Sequence, residues 1–563
     1  MTGGGYGTRR IVSSAGDGPD VVTRSTVGAR NELAGIHLLR TFHGPEPNAR
    51  ILAAISQGRA SGVTLFRGSN ARDPAQVRAL CKYLQSARPS GAPPLIIGFD
   101  QEGGQLQTVG GEATAWPGNL ALGATRSPEL AEEVGRAIGI EVAAMGGTLV
   151  YAPVCDVLGR SSATPLGTRT FGDDPDLAAE LAAAMTRGLQ QAGVAATLKH
   201  FPGHGTAAGD PHAMLPVLHE DRAQLGDRSL PPFRAGIAAG AQAVMPGHLA
   251  VPALTGGTEI PATFSDAILG DLLRGELGFK GAIISDALDM AGGWREGGLG
   301  EAAGAALGAG VDLLLLNHEP AIEEAACEAV LTMMGSGRLD RTRLEASRTR
   351  VLSLRRSLRR IVQPALAVVG CEAHRKLARR VAQASITLVR DPEYLLPLGL
   401  RPSDRVALVT PPLIDLTPAE TSSYLRLELA AELRTRGLAV DEMAATLDPT
   451  TDEVAAIAAA TAEHRLVIAC TWDAVSFAGQ VELIAGLASR LGSRFSSDGA
   501  YVGPSQVVAV ALRSPYDAAL FPPYVTSICT YGVQPPQIEA LADALLDRIQ
   551  FSGRLPVRLE VSA

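Results

Sequence analysis

Paired cysteines are missing from this sequence: Cys81, Cys155, Cys327, Cys371, Cys470 and Cys529 stand singly in mostly apolar stretches, with no C-x-x-C pair among them. That excludes a disulfide framework and reads as buried free thiols in a reducing compartment. Surplus positive charge is missing too. Lys and Arg total 50 against 58 Asp and Glu, a formal net charge of −8, and without a basic patch to neutralise phosphates the chain is no nucleic-acid binder. No uninterrupted apolar run approaches the ~20 residues that cross a bilayer; VDLLLLN (311–317) comes nearest. At the N-terminus Arg9-Arg10 is followed by only two apolar residues, whereas a signal peptide needs a longer stretch. The Gly/Ser/Thr-rich residues 1–30 read as a disordered leader, and a cytoplasmic protein is expected without metal, organic cofactor, nucleic-acid or membrane partner.

What the chain does have is length and alternation. Its 563 residues exceed what one hydrophobic core usually supports, so two domains are expected. From 31 to 350 a short apolar run ending in a polar residue is followed by a loop and an Ala/Leu-rich helical stretch, again and again. The runs are 62–66, 94–100, 146–156, 193–200, 241–248, 281–286 and 311–317, with an eighth expected near 33–43. Such alternation predicts a parallel sheet with helical crossovers. Most runs end on residues capable of chemistry: Asp100, Asp156, Lys199-His200, His248, Asp286 and Asn317. Polar ends recurring from strand to strand favour a (β/α)8 TIM barrel, whose site lies at the C-terminal ends of its strands, over an open sheet with one switch point. A basic helix (341–362) and a linker (351–370) lead into 371–563. There the runs at 405–412, 466–472, 506–515 and 527–532 predict a three-layer α/β/α sandwich. Its strand ends are poorer in ionisable residues, which puts the chemistry in the barrel.

The densest segment is LKHFPGHGTAAGDPHAMLP (198–216). His200 and His204 are spaced like a helical zinc pair, but Pro202 and Gly203 between them argue against a helix and against metal; His204 reads as a turn residue satisfying backbone groups. In Asp210-Pro211-His212 the carboxylate can hold one ring nitrogen and fix the tautomer, leaving the other to trade protons near neutral pH. An exposed polar loop is the alternative. Asp286, ending a β-branched run, is either a helix N-cap or a carboxylate placed to attack an anomeric carbon, and Asp289 reads as solvated or capping. Asp100, before Gly103-Gly104, can grip two sugar hydroxyls. Arg169 is a hydroxyl or amide donor, or else a surface arginine paired with Asp173 or Asp174.

Together these segments resemble glycoside hydrolase family 3, in its bacterial β-N-acetylglucosaminidase branch. The likeness rests on D-Q-E-G-G (100–104), W-P-G-N-L-A-L-G-A-T (116–125), R-T-F-G-D-D-P (169–175), K-H-F-P-G-H-G (199–205), D-P-H (210–212) and S-D-A-L-D-M (285–290), in that order. It implies a retaining exo-glycosidase of peptidoglycan recycling, with Asp286 as nucleophile and the Asp210/His212 dyad as acid/base. Asp100, Arg169, Lys199 and His200 would contact the sugar hydroxyls of a small carbohydrate substrate. A histidine acid/base also admits inorganic phosphate as acceptor, since it does not repel an anion. Three positions depart from the pattern: Gln105 and Thr108 stand where the branch carries arginines, Pro211 replaces a serine, and T-P-L-G precedes Arg169. Phosphorolysis, a mixed-specificity β-glucosidase and an inactive sugar-binding protein are the alternatives to hydrolysis of β-linked N-acetylglucosamine.

Overall fold

The computed structural model describes residues 1–2, 35–159, 166–207, 209–290, 292, 298–316, 319–400, 404–491 and 506–559. Eight short strands form one parallel sheet: β1 (Leu38–Arg40), β2 (Gly62–Leu65), β3 (Ile96–Phe99), β4 (Leu149–Val150), β5 (Ala195–Phe201), β6 (Ala243–Pro246), β7 (Ala282–Ile283) and β8 (Leu314–Leu315). Each pairs with the next, β8 pairs with β1, and an Ile284–Leu313 bridge joins β7 to β8, so the sheet closes into the expected barrel. The run expected near 33–43 is β1. The leader, apart from its first two residues, lies outside the described residues, as do Asn317 and the first two residues of T-P-L-G.

Local chemistry explains the alternation. Strands such as Ile96–Phe99 are buried along their whole length, as in a sheet covered on both faces. Helices Pro74–Ser86, Pro128–Met145 and Pro175–Gln191 each begin with proline just after an N-cap, Asp73, Ser127 or Asp174, whose side chain accepts a first-turn N–H. Gly146 ends the second of these in the left-handed conformation, φ 92°, which costs glycine nothing.

Six further strands follow: β9 (Thr387–Arg390), β10 (Arg405–Thr410), β11 (Ala439–Ala444), β12 (Leu466–Thr471), β13 (Gln506–Ala511) and β14 (Thr526–Cys529). Their order is β9-β14-β13-β12-β10-β11, parallel except for β9. One face packs on helices Thr451–Ala460 and Ala478–Leu491, the other on Leu429–Thr435 and Pro535–Leu545, giving the expected three layers. The sequence reading found four of these strands and missed the two edges. In β11, AVDEMA, exposed and covered positions alternate, so it lacks the continuous apolar run of the central strands. The two units share a core. Leu120, Ala121, Ala124, Leu158 and Leu166 of the first belong to the same apolar cluster as Ala407, Val467 and Ala509 of the second. The chain's last described stretch also returns to the barrel, where Asp173 N–H donates to Pro556 O (3.1 Å) and Arg558 N–H to the Asp173 carboxylate (2.8 Å).

Candidate active site

At the C-terminal mouth of the barrel lies a cavity of about 540 Å³. All seven residues singled out in the sequence, Asp100, Arg169, Lys199, His200, Asp210, His212 and Asp286, line it. Its floor is a buried charge lattice. Lys199, on β5, reaches Asp100 at 2.7 Å and Glu102 at 2.6 Å, while Arg169 grips both Glu102 oxygens at 2.9 Å. Arg169 thus pairs neither with Asp173 nor with Asp174, because the chain turns it inward to the hairpin that follows β3. Burial alone would raise the Glu102 pKa, but Arg169 and Lys199 outweigh it and bring it down to about 2. Sequence reading saw Glu102 only as Asp100's neighbour; its link to Arg169 spans 67 positions and carries no local signal.

Breaking a buried charge pair by removing one partner typically costs about 3–5 kcal/mol. Glu102→Ala is therefore expected to lower stability by that order in chemical denaturation, leaving Arg169 without its carboxylate and Lys199 with Asp100 alone; an unchanged midpoint would contradict the lattice. Since the folded pKa is depressed, the wild-type contribution is present above the ordinary value of 4.5 and fades as pH falls toward 2.

A second chain of contacts fixes the histidines. Asp156, fully buried after β4, accepts from His200 Nδ1 (2.7 Å) and from the His204 N–H (2.6 Å). This turns His200 Nε2 toward Asp286, 4.0 Å from Oδ2. Asp286 itself accepts the Ala287 N–H at 2.8 Å, and Ala287 O accepts from His248 Nε2 at 3.0 Å. With Nε2 donating, His248 Nδ1 faces the Thr263 hydroxyl (2.9 Å), so the ring is fixed as a strut beneath the nucleophile candidate. Burial would raise the Asp286 pKa; His200, His248, Lys199 and the Ala287 N–H overcome this and hold it below the ordinary aspartate value. Asp286 is therefore a carboxylate, not an acid, at neutral pH. His204 is buried, and among the described residues neither ring nitrogen has a partner, so its ring does not satisfy backbone groups there as the sequence suggested. Asp289, expected to be solvated or capping, also lines the cavity.

Across the mouth, Asp210 Oδ1 accepts both the backbone N–H (2.9 Å) and ring Nδ1 (2.7 Å) of His212, leaving Nε2 without a hydrogen bond among the described residues. Burial and these hydrogen bonds pull the Asp210 pKa in opposite directions, and the hydrogen bonds win, lowering it.

One wall was not foreseen, because the second unit was read as poor in chemistry. Asp415, Glu420, Thr421 and Tyr424 from that unit line the cavity. Gln105 anchors them: its backbone carbonyl accepts from Thr421 N–H (2.7 Å) and hydroxyl (2.9 Å), while its side-chain oxygen accepts from Thr168 N–H (2.9 Å) and hydroxyl (2.8 Å). Gln534 adds a bond to Gly104 O at 2.7 Å. The residue that stands in an arginine's place is a fastener between the two units.

This fold and this mouthful of strand-end carboxylates and histidines belong to a glycoside hydrolase. Residues 30–354 match the family model described as glycosyl hydrolase family 3 N terminal domain, and the chain belongs to that family. A beta-hexosaminidase of Thiobacillus denitrificans is 40% identical over 279 residues, 48% of this chain and 75% of the relative. One from Stenotrophomonas maltophilia is 36% identical over 317 residues, 54% of this chain and 92% of the relative. A solved glycoside hydrolase family 3 beta-N-acetylglucosaminidase from Paenibacillus sp. str. FPU-7 is 32% identical, with a TM-score of 0.85 over 95% of this chain and 99% of that one.

Proposed function

We propose that this chain is a retaining exo-β-N-acetylglucosaminidase that releases terminal β-linked N-acetylglucosamine from small oligosaccharides. The observation that carries this reading is an ionised Asp286 and an Asp210-held His212 facing the same cavity, one after β7 and the other after β5. Asp286 attacks the anomeric carbon and forms a glycosyl ester as the leaving oxygen takes a proton from His212 Nε2. His212 then removes a proton from the incoming acceptor, which displaces Asp286 and restores the starting configuration. Asp100, Arg169, Lys199 and His200 hold hydroxyls of the bound sugar. The wall at 415–424 borders the cavity, which supports attack at a chain end. The likeness to beta-hexosaminidases favours an N-acetylated sugar over glucose.

Because His212 carries no negative charge, phosphate can serve as acceptor in the second step. Turnover of nitrophenyl N-acetyl-β-glucosaminide in phosphate and in phosphate-free buffer, with the first-formed anomer followed by NMR, tests both parts. Free β-anomer in either buffer is the expected result; sugar 1-phosphate would make phosphate the acceptor. An α-anomer appearing first would overturn the retaining mechanism, and preference for the glucoside would overturn the substrate.

A further inference from the structure

Among the described residues three guanidinium or ammonium groups line the cavity, and two are matched: Arg169 and Lys199 end on carboxylates. The third, Arg67, is not. It follows Phe66 in the loop after β2, and its guanidinium carbon stands 4.4 Å from the centre of the Tyr424 ring of the second unit. Among the described residues it makes no hydrogen bond and no ion pair. It is more than half buried, and burial lowers its pKa, with Tyr424 and Asp415 pulling the other way. A desolvated cation with empty donors is costly unless a partner arrives.

Its position says which part of a ligand it meets. A Cβ added to Gly110 would stand 2.7 Å from an Arg67 nitrogen, so the guanidinium lies over the irregular segment that leaves the Asp100 hairpin, two residues beyond Thr108. The Tyr424 hydroxyl fits against Gly68, where a Cβ would come within 2.5 Å and where φ is +78°, so the tyrosine is seated on the same loop. Strand β2 neighbours β3, which carries Asp100, and is three strands from both β5 and β7 around the barrel. On the reading above, the anomeric carbon sits between Asp286 and His212. The opposite end of the ring, with its C4 and C6 hydroxyls, then points toward β2 and β3.

We propose that Arg67, held over Tyr424, is a specificity-determining residue that binds the C4 and C6 hydroxyls of the terminal sugar, in place of the cation missing at Thr108. A planar guanidinium presents a fork of donors suited to two neighbouring oxygens. The second unit then takes part in substrate selection by holding that fork in place.

The test compares wild type with Arg67→Met and Gly110→Ala, the latter displacing the guanidinium without altering it. Turnover is measured on nitrophenyl N-acetyl-β-glucosaminide and its 4-deoxy and 6-deoxy analogues, and binding of the three parent sugars by calorimetry. Loss of a charge-assisted hydrogen bond predicts that Arg67→Met weakens binding and kcat/KM for the full sugar by about tenfold to a hundredfold. On at least one deoxy analogue the loss should be under about threefold. Thr108→Arg added to Arg67→Met should recover part of the loss. Wild-type values in Arg67→Met, an equal loss on all three sugars, or no binding of any of them to wild type would overturn the proposal. Sugar binding with the predicted pattern but no turnover would uphold it while refuting the glycosidase reading, so the two fail separately.

Discussion

Replacing Asp286 by alanine is expected to cut kcat/KM on the nitrophenyl substrate by about 10⁴–10⁶-fold, the scale seen when a nucleophile is removed from a preorganised site. The loss should occur without unfolding: among the described residues the carboxylate's one direct hydrogen bond is to the Ala287 N–H, and His248 still holds Ala287 O. Azide supplied in solution can attack the anomeric carbon from the vacated face, giving an α-glycosyl azide and partial recovery of rate. Isolating that product would identify the side chain's role, which a rate loss alone does not. Retention of activity within tenfold of wild type would exclude Asp286 as nucleophile.

The second large effect is expected at His212, and it depends on the leaving group. Nitrophenolate departs without a proton, so His212→Ala should form the glycosyl ester readily but resolve it slowly, giving a burst of nitrophenol followed by a slow steady state. A disaccharide has a poor leaving group and should lose about 10²–10⁴-fold, the usual contribution of general acid–base catalysis. Equal losses on the two substrates, with no burst, would mean that His212 only shapes the loop. Asp210→Asn should produce a weaker form of the same pattern, since it keeps a hydrogen-bond acceptor beside Nδ1 but removes the carboxylate's charge.

The barrel was legible because its signals are local. A buried parallel strand is a continuous apolar run, its polar end marks the mouth, and an N-cap followed by proline starts the next helix. Site residues at strand ends, Asp100, Lys199-His200 and Asp286, were legible for the same reason, and the Asp210/His212 pair because its members are two residues apart. What stayed hidden depends on chain separations that no pattern spans. Glu102 became the centre of the lattice only when Arg169 and Lys199 folded onto it. Asp156 and His248 were visible as strand ends, but not as the groups that aim His200 and support Ala287. Tyr424 and Arg67 are 357 positions apart and meet only where the units join.

Gln105 sits at the seam between the two units. Its carbonyl ties the 415–424 wall to the barrel rim on the Asp100 side, its side chain holds Thr168 within the barrel unit, and a common apolar core backs the joint. The Asp210/His212 loop, with side chains 25% and 30% exposed, borders the same cavity. A sugar in that cavity is gripped from the second unit while the barrel handles its proton, so the joint works as a clamp shared by recognition and chemistry.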